Sequence, residues 1–395
     1  MAKHSNRGNV IRLAAAQALS MTTMNVNIIN TALVGSLLAP MPWLATLALS
    51  LQFIFSMLTT LPASLLMARF GRRTVFVGGV SISVLSACGQ GISILYSNFT
   101  LFCIASMTLG IAHGVAGFYR YAAADSADES EKPKAISYVL AGGLLAALMG
   151  PEIARNTVGL VPEHLYAGCY FSAAAVQLVS LVMLAGLKIP KPERSRQGGR
   201  PIGVFFRMPV FITGMISAAL GYAMMTYMMT ATPLQIVNVA KLGTSANATI
   251  IQWHVVAMFA PAFFTGNLIK RFGVKTILAT GILTYFVAIA SAVMGDGFWW
   301  YFFALLLMGL GWNFLFIGGS SLVAAVAAPE ERGRVQGVAD LATTSCVAVG
   351  SLVAGILHSQ LGWQVMMLAA LGPVTVILLS LVMLVMHDRR PALQP

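Results

Sequence analysis

The chain has 395 residues, of which 58% are apolar and 9% charged, with a mean hydropathy of +0.81. A soluble domain is about half apolar and a quarter charged, so this composition excludes a water-soluble globule and places the chain in lipid. The formal charge of +12 invites a nucleic-acid reading, which the positions of the basic residues exclude.

Met1–Arg12 is short and basic and runs directly into an apolar stretch, so no cleavable leader is expected. A helix crosses the hydrocarbon core with about 20 apolar residues. By that measure the chain reads as twelve spans, near 11–37, 43–67, 74–95, 99–121, 135–155, 166–187, 208–235, 246–269, 275–294, 298–324, 335–357 and 363–386. The expected fold is therefore an all-α membrane protein of twelve transmembrane helices. Six spans precede the polar stretch 188–207, rich in Pro, Gly, Ser and charge, and six follow it. This predicts an N-terminal six-helix bundle (1–187), a linker without structure of its own (188–207) and a C-terminal six-helix bundle (208–395). The four cysteines, Cys88, Cys103, Cys169 and Cys346, stand singly, so neither a zinc site nor a disulfide framework is expected.

Orientation follows from Lys and Arg. With both termini cytoplasmic, every one of the 24 basic residues except Arg155 and Lys241 falls on the inner side. The basicity is thus topological and calls for no nucleic-acid partner.

An internal repeat supports a duplicated architecture. Leu65–Arg73, LLMARFGRR, follows span two, and Asn267–Lys275, NLIKRFGVK, follows span eight. Each occupies the same short inner loop of its half. The R-F-G-[RV]-[RK] pieces resemble the loop signature of the major facilitator superfamily, G-x-L-a-D-R-x-G-R-[RK]. The resemblance implies two pseudo-symmetric six-helix halves, a non-enzymatic secondary transporter working by alternating access, and a bacterial inner-membrane location. It implies no cofactor, and a monomer is expected.

The departures from the family pattern are specific. The acidic position of the loop signature is Ala68 in one copy and Lys270 in the other, so the charge relay at the inner gate must be missing or rebuilt. Asp125, Glu129 and Asp340 are candidates, beside Arg69, Lys270 and Arg271 of the loops. The family's Arg-x-x-Gln-Gly in span four reads Gly110-Ile111-Ala112-His113-Gly114, without the arginine. Gly150-Pro151 in span five continues Glu152-Ile153-Ala154-Arg155 rather than with the glycines of the drug/proton exporters.

Charges inside a membrane are costly and are functional suspects. Glu152 and Arg155 stand three apart and can pair on one helix face. Asp340 is expected to join an inner gate network with Arg332 or Arg334, and Arg120 to extend towards headgroups. Span one carries Gln17, Asn25, Asn27 and Asn30, which must face the bundle interior. With His113 they fit a translocation path. Gly309, Gly311, Gly318 and Gly319 around Trp312-Asn313 suggest close packing and a gating bend in span ten.

Two spacings point to soft-metal chemistry. Met225-x-x-x-Met229 in span seven and His254-x-x-x-Met258 in span eight each place two ligands one turn apart. Thioether and imidazole suit Cu(I) rather than Mg²⁺ or Ca²⁺. With 22 Met in the chain, chance supplies about one such Met pair. Yet both instances, Met224/Met228 and Met225/Met229, fall in span seven. Counted from the span ends, Met225 and His254 lie at similar depth, about 10 and 8 residues from the outer side at 1.5 Å per residue. Together with Phe118-Tyr119-Arg120 and Gly311-Trp312-Asn313-Phe314, these residues resemble the CcoA-type copper importers. That resemblance implies Met225, Met229, His254 and Met258 as copper ligands, copper as cargo and a cytoplasmic copper chaperone as receiver. Riboflavin transporters share much of the same neighbourhood. The alternatives are therefore an organic cargo, carried by a riboflavin-like importer or a proton-coupled exporter, and a non-transporting sensor or scaffold. In the first of these, Met224–Met229 would form an apolar wall beside Tyr222 and Tyr227.

Overall fold

A computed structural model describes residues 7–128, 131–189, 199–328 and 331–388. The side chains of Lys132 and Lys134 lie outside the described residues, as do Lys3, Glu129, Glu330, Arg389, Arg390 and linker positions 190–198. The described residues form helices joined by short turns, with no strand among them.

The spans become the helices Arg7–Leu38, Leu47–Phe70, Arg72–Leu95, Phe99–Ala116, Lys132–Thr157, Ala167–Ala185, Pro209–Pro233, Gly243–Phe259 with Ala262–Phe272, Val274–Met294, Phe298–Ala325, and a run from Arg332 to Asp388. That run has 57 residues. At 1.5 Å per residue it would extend roughly 85 Å, nearly three times the hydrocarbon thickness. Gly362, at φ 77° and ψ 175°, breaks it into spans eleven and twelve.

Nine of these helices are apolar enough to cross by composition among the described residues, and the pair Gly243–Phe259 and Ala262–Phe272 makes a tenth, bent by 45° at Ala260-Pro261. Span one falls short because its middle is polar. Thr22, Thr23, Asn25, Asn27, Asn30 and Thr31 are all buried, so the polarity that lowers its hydropathy is turned inward.

The helices gather into two compact units, Met1–Arg194 with Thr230–Phe259, and Ser195–Met229 with Ala260–Pro395. These units are drawn differently from a simple cut at the linker. Segment 230–259 joins the first unit through specific contacts. Asn247 Nδ2 donates to Ile29 O at 3.2 Å, Asn238 Nδ2 to Ser36 Oγ at 3.0 Å and Arg155 Nη2 to Thr249 Oγ1 at 3.1 Å. Leu234 enters the apolar cluster of Ala32, Leu33, Phe102 and Tyr170.

Span seven does not end as a plain helix. Pro233 supplies no amide hydrogen, and Leu234–Val239 widens into π-type turns.

The linker is also more ordered at its described ends than a polar stretch suggests. Asn9 Nδ2 donates to Lys188 O at 2.9 Å. At the other end Ile202–Phe205 forms a helical turn whose Phe205 is fully buried, 5.9 Å from Phe211 between ring centres. Arg200 lies over the Phe205 ring at 4.7 Å.

Span ten runs as one unbroken helix, Phe298–Ala325, through the glycines expected to form a gating bend. Its glycines serve close approach. A Cβ on Gly319 would stand 2.5 Å from Gly214 O, and one on Gly311 would stand 2.4 Å from the Tyr285 ring.

Candidate functional site

The first unit holds the polar residues of span one. Asn27 Oδ1 accepts from Gln90 Nε2 at 2.8 Å and from Thr31 Oγ1 at 3.2 Å, and Gln90 Nε2 also donates to Ser106 Oγ at 2.9 Å. Thr31 Oγ1 and Tyr170 OH are 3.1 Å apart, and Gln177 Nε2 donates to Thr23 Oγ1 at 2.8 Å. Asn25 Nδ2 donates to Ala146 O at 2.9 Å and Asn30 Nδ2 to Val26 O at 3.0 Å.

Asn25, Asn27 and Asn30 therefore differ from the expected wall of a route. Their amide nitrogens are engaged inside the bundle, because lipid offers a buried amide no substitute for water. Asn25 and Asn27 bind span one to its neighbours, and Asn30 bonds back within its own helix. Of the path residues, Gln17 and His113 keep partial exposure.

His113 sits on span four against Gln52 of span two. Gln52 Nε2 is 3.0 Å from His113 Nδ1. Gly110 and Gly114 bracket the histidine and let the helices touch. A Cβ at Gly110 would lie 2.3 Å from Gln52 O, and one at Gly114 would lie 2.7 Å from Ser56 O. Gln52 did not stand out in sequence; the signal that points to it is the G-x-x-x-G spacing around His113.

At the charged end of this unit Asp125 meets an arginine of the loop. Arg72 Nη1 is 2.5 Å from Asp125 Oδ2 and 3.4 Å from Tyr121 O. Arg69 stacks over Phe70 at 5.2 Å, and Arg120 over Tyr121 at 4.8 Å with Nη2 donating to the Tyr121 hydroxyl at 2.9 Å. Arg120 thus has an aromatic partner beside it. Towards the other end Arg155 pairs with Glu152, as the i, i+3 spacing implies.

The second unit has its own charged cluster, and sequence reasoning missed its centre. Glu331 is 2% exposed. It accepts from Arg200 Nε at 2.9 Å, Arg200 Nη2 at 2.7 Å, Arg200 N at 2.7 Å and Ala328 N at 3.0 Å. Those Arg200 side-chain and backbone bonds, then the Ala328 amide, outweigh desolvation and hold its carboxyl at about 2, below the usual 4.5. Arg334 donates to Arg200 O, so it serves the same clamp. Lys270 and Arg271 are exposed, and Arg271 lies over Phe272 at 5.1 Å. Lys275 pairs with Asp388. Asp340 is half-buried on span eleven.

An aromatic group joins spans seven and ten of the second unit. Trp312 and Phe316, one turn apart on span ten, stack at 5.1 Å with their planes 8° apart. Tyr222 of span seven meets both edge-on, at 5.2 and 5.5 Å. Met225 follows Tyr222 by three residues on the same helix face. Tyr227, the other tyrosine read as a pocket wall, is buried and donates to Met366 O at 2.8 Å, so it is a packing residue. Asn313, beside Trp312, is bonded to Thr265 Oγ1 at 2.6 Å.

The four sulfur and imidazole residues divide between the units. Met225 and Met229 belong to the second, and His254 and Met258 to the first. All four are buried. Each pair shares its own helix face. Among the described residues no group of three or more His, Cys, Asp or Glu is arranged to hold a metal.

Comparison with known proteins gives consistent results. The sequence matches the Major Facilitator Superfamily over residues 13–260 and 236–395. It is 36% identical over 381 residues to the riboflavin transporter RfnT of Brucella anthropi, covering 95% of this chain and 96% of that one. It is 26% identical over 318 residues to an uncharacterised MFS-type transporter, YddS, of Bacillus subtilis, covering 75% and 72%. In structure it is similar to the nucleoside transporter NupG (TM-score 0.72, 13% identity, 95% and 98% covered). It is also similar to a bacterial homolog of the human lysosomal transporter Spinster in an inward-facing and occupied conformation (TM-score 0.74, 12% identity, 97% of each covered).

Proposed function

This chain belongs to the Major Facilitator Superfamily of multi-pass membrane transporters, and we propose that its cargo is a flavin-like heterocycle moved inward across a bacterial inner membrane. The observation that carries the cargo is likeness to a riboflavin transporter along nearly the whole length of both chains. The aromatic group supports it chemically. A flat apolar ring system is held by faces and edges of aromatic side chains, and Trp312, Phe316 and Tyr222 offer such surfaces beside Met225, whose flexible thioether adapts to irregular shapes. A small-molecule site also needs a few polar groups within a largely apolar wall. Alternating access by two bundles is the family's mode of transport.

Copper is a second reading. It rests on the buried Met225/Met229 and His254/Met258 spacings, and draws no support from the relatives, which are transporters of organic molecules where their names state a cargo.

Uptake of labelled riboflavin and of labelled copper by cells expressing the protein separates the two. Riboflavin uptake that persists in His254→Ala/Met258→Ala, and falls roughly tenfold in Trp312→Ala on loss of about 1.4 kcal/mol of ring contact, is the expected result. Copper uptake lost in the double variant, with no riboflavin uptake by the unmodified protein, would reverse the assignment.

A further inference from the structure

Gln52 and His113 are bonded to each other, and each keeps one polar atom that no group among the described residues satisfies. Gln52 is 1% exposed. Its Oε1 and the Nε2 of His113 are buried without a hydrogen-bond partner among the described residues. With the Gln52 amide nitrogen donating to Nδ1, the imidazole carries its proton on Nε2. The unsatisfied pair is then one acceptor and one donor on adjoining side chains. Ser83 Oγ, Gln90 Oε1, Ser180 Oγ and Asn247 Oδ1 are also unsatisfied in this unit, but none of these side chains is hydrogen-bonded to another of them. Buried polar groups are nearly always paired within proteins, and a bundle in lipid has the least tolerance for exceptions. The glycines at 110 and 114 press span four against span two, so the pair is held by backbone contact rather than by flexible reach.

We propose that Gln52 and His113 form a binding subsite for the amide or imide edge of a heterocyclic cargo. This deepens the flavin reading and rests on it. A cargo carbonyl accepts from His113 Nε2–H, and the adjoining cargo N–H donates to Gln52 Oε1. The pyrimidine ring of a flavin presents such an edge, an N–H flanked by two carbonyls. Turning the Gln52 amide over exchanges the two roles, and an edge on which carbonyl and N–H alternate satisfies either arrangement. A metal cation satisfies neither, since one of the two atoms always carries hydrogen.

The test is uptake of riboflavin and of 3-methylriboflavin, whose imide N–H is blocked, into proteoliposomes. The unmodified protein is expected to take riboflavin with a KM at least tenfold lower. Gln52→Leu should raise the riboflavin KM to that of the methylated compound while methylated uptake stays unchanged, which also reports that the variant is folded. Gln52→Glu, which keeps an acceptor, should restore part of the discrimination. Equal KM values for the two compounds in the unmodified protein overturn the subsite and need no variant. So does discrimination that survives both Gln52→Leu and His113→Phe. No uptake of either flavin by the unmodified protein overturns the cargo reading, and this subsite with it.

Discussion

The Glu331 carboxylate is enclosed by donors, and its behaviour with pH follows. Because its pKa in the folded protein lies below the ordinary 4.5, at about 2, the clamp contributes fully above the ordinary value. That contribution is lost as pH falls from about 4.5 through about 2. Glu331→Gln should therefore lower the thermal unfolding midpoint in detergent at pH 7, and the gap to the unmodified protein should narrow steadily below pH 4.5. A gap that is constant from pH 7 to pH 3 would refute this account. Arg200 escaped notice in sequence because it lies among linker residues whose composition reads as unstructured. Its partner is 131 positions away, and no local pattern announces such a pairing. Glu152 and Arg155, three apart, were legible because one helix supplies both sides of the bond.

Helix contacts in this protein are set as much by what is missing as by what is present. Gly214 and Gly319 face each other across spans seven and ten, and a methyl at Gly319 would meet Gly214 O at 2.5 Å and Ala218 N at 2.8 Å. Both contacts are backbone, which cannot swing aside. Gly319→Ala should therefore destabilise by about 1–3 kcal/mol. Gly78, with nothing within 4 Å of a built Cβ, is the matched control, where alanine should gain about 0.5–1 kcal/mol through helix propensity. Equal thermal midpoints for the two variants would show that this close approach is not what limits the packing of span ten. The glycine cluster was visible in sequence, but whether it meant a bend or a contact depended on the helix lying opposite.

At the scale of the whole chain, the distribution of Lys and Arg predicts that both termini are cytoplasmic. In a background with the four native cysteines replaced, Lys241→Cys should react with an impermeant maleimide added to intact cells. Arg332→Cys should react only after permeabilisation. The opposite pattern would invert the topology and with it the direction of the proposed transport.

Span number, the duplicated loop and the basic asymmetry were determined by the sequence alone. They are one-dimensional consequences of a bilayer, which demands about 20 apolar residues per crossing and sorts charge by side. The two short spacings of Met and His were equally legible, whereas their burial is a fact of the tertiary structure. What the sequence could not decide was which helices lie against which. Only the tertiary structure joins segment 230–259 to the first bundle, turns Asn25 and Asn27 into bonds between helices, pairs Arg72 with Asp125, and brings Tyr222 to Trp312 and Gln52 to His113. These pairings join residues from 53 to 121 positions apart. They are selected by the fit of whole helix faces, to which the local pattern around either partner contributes almost nothing.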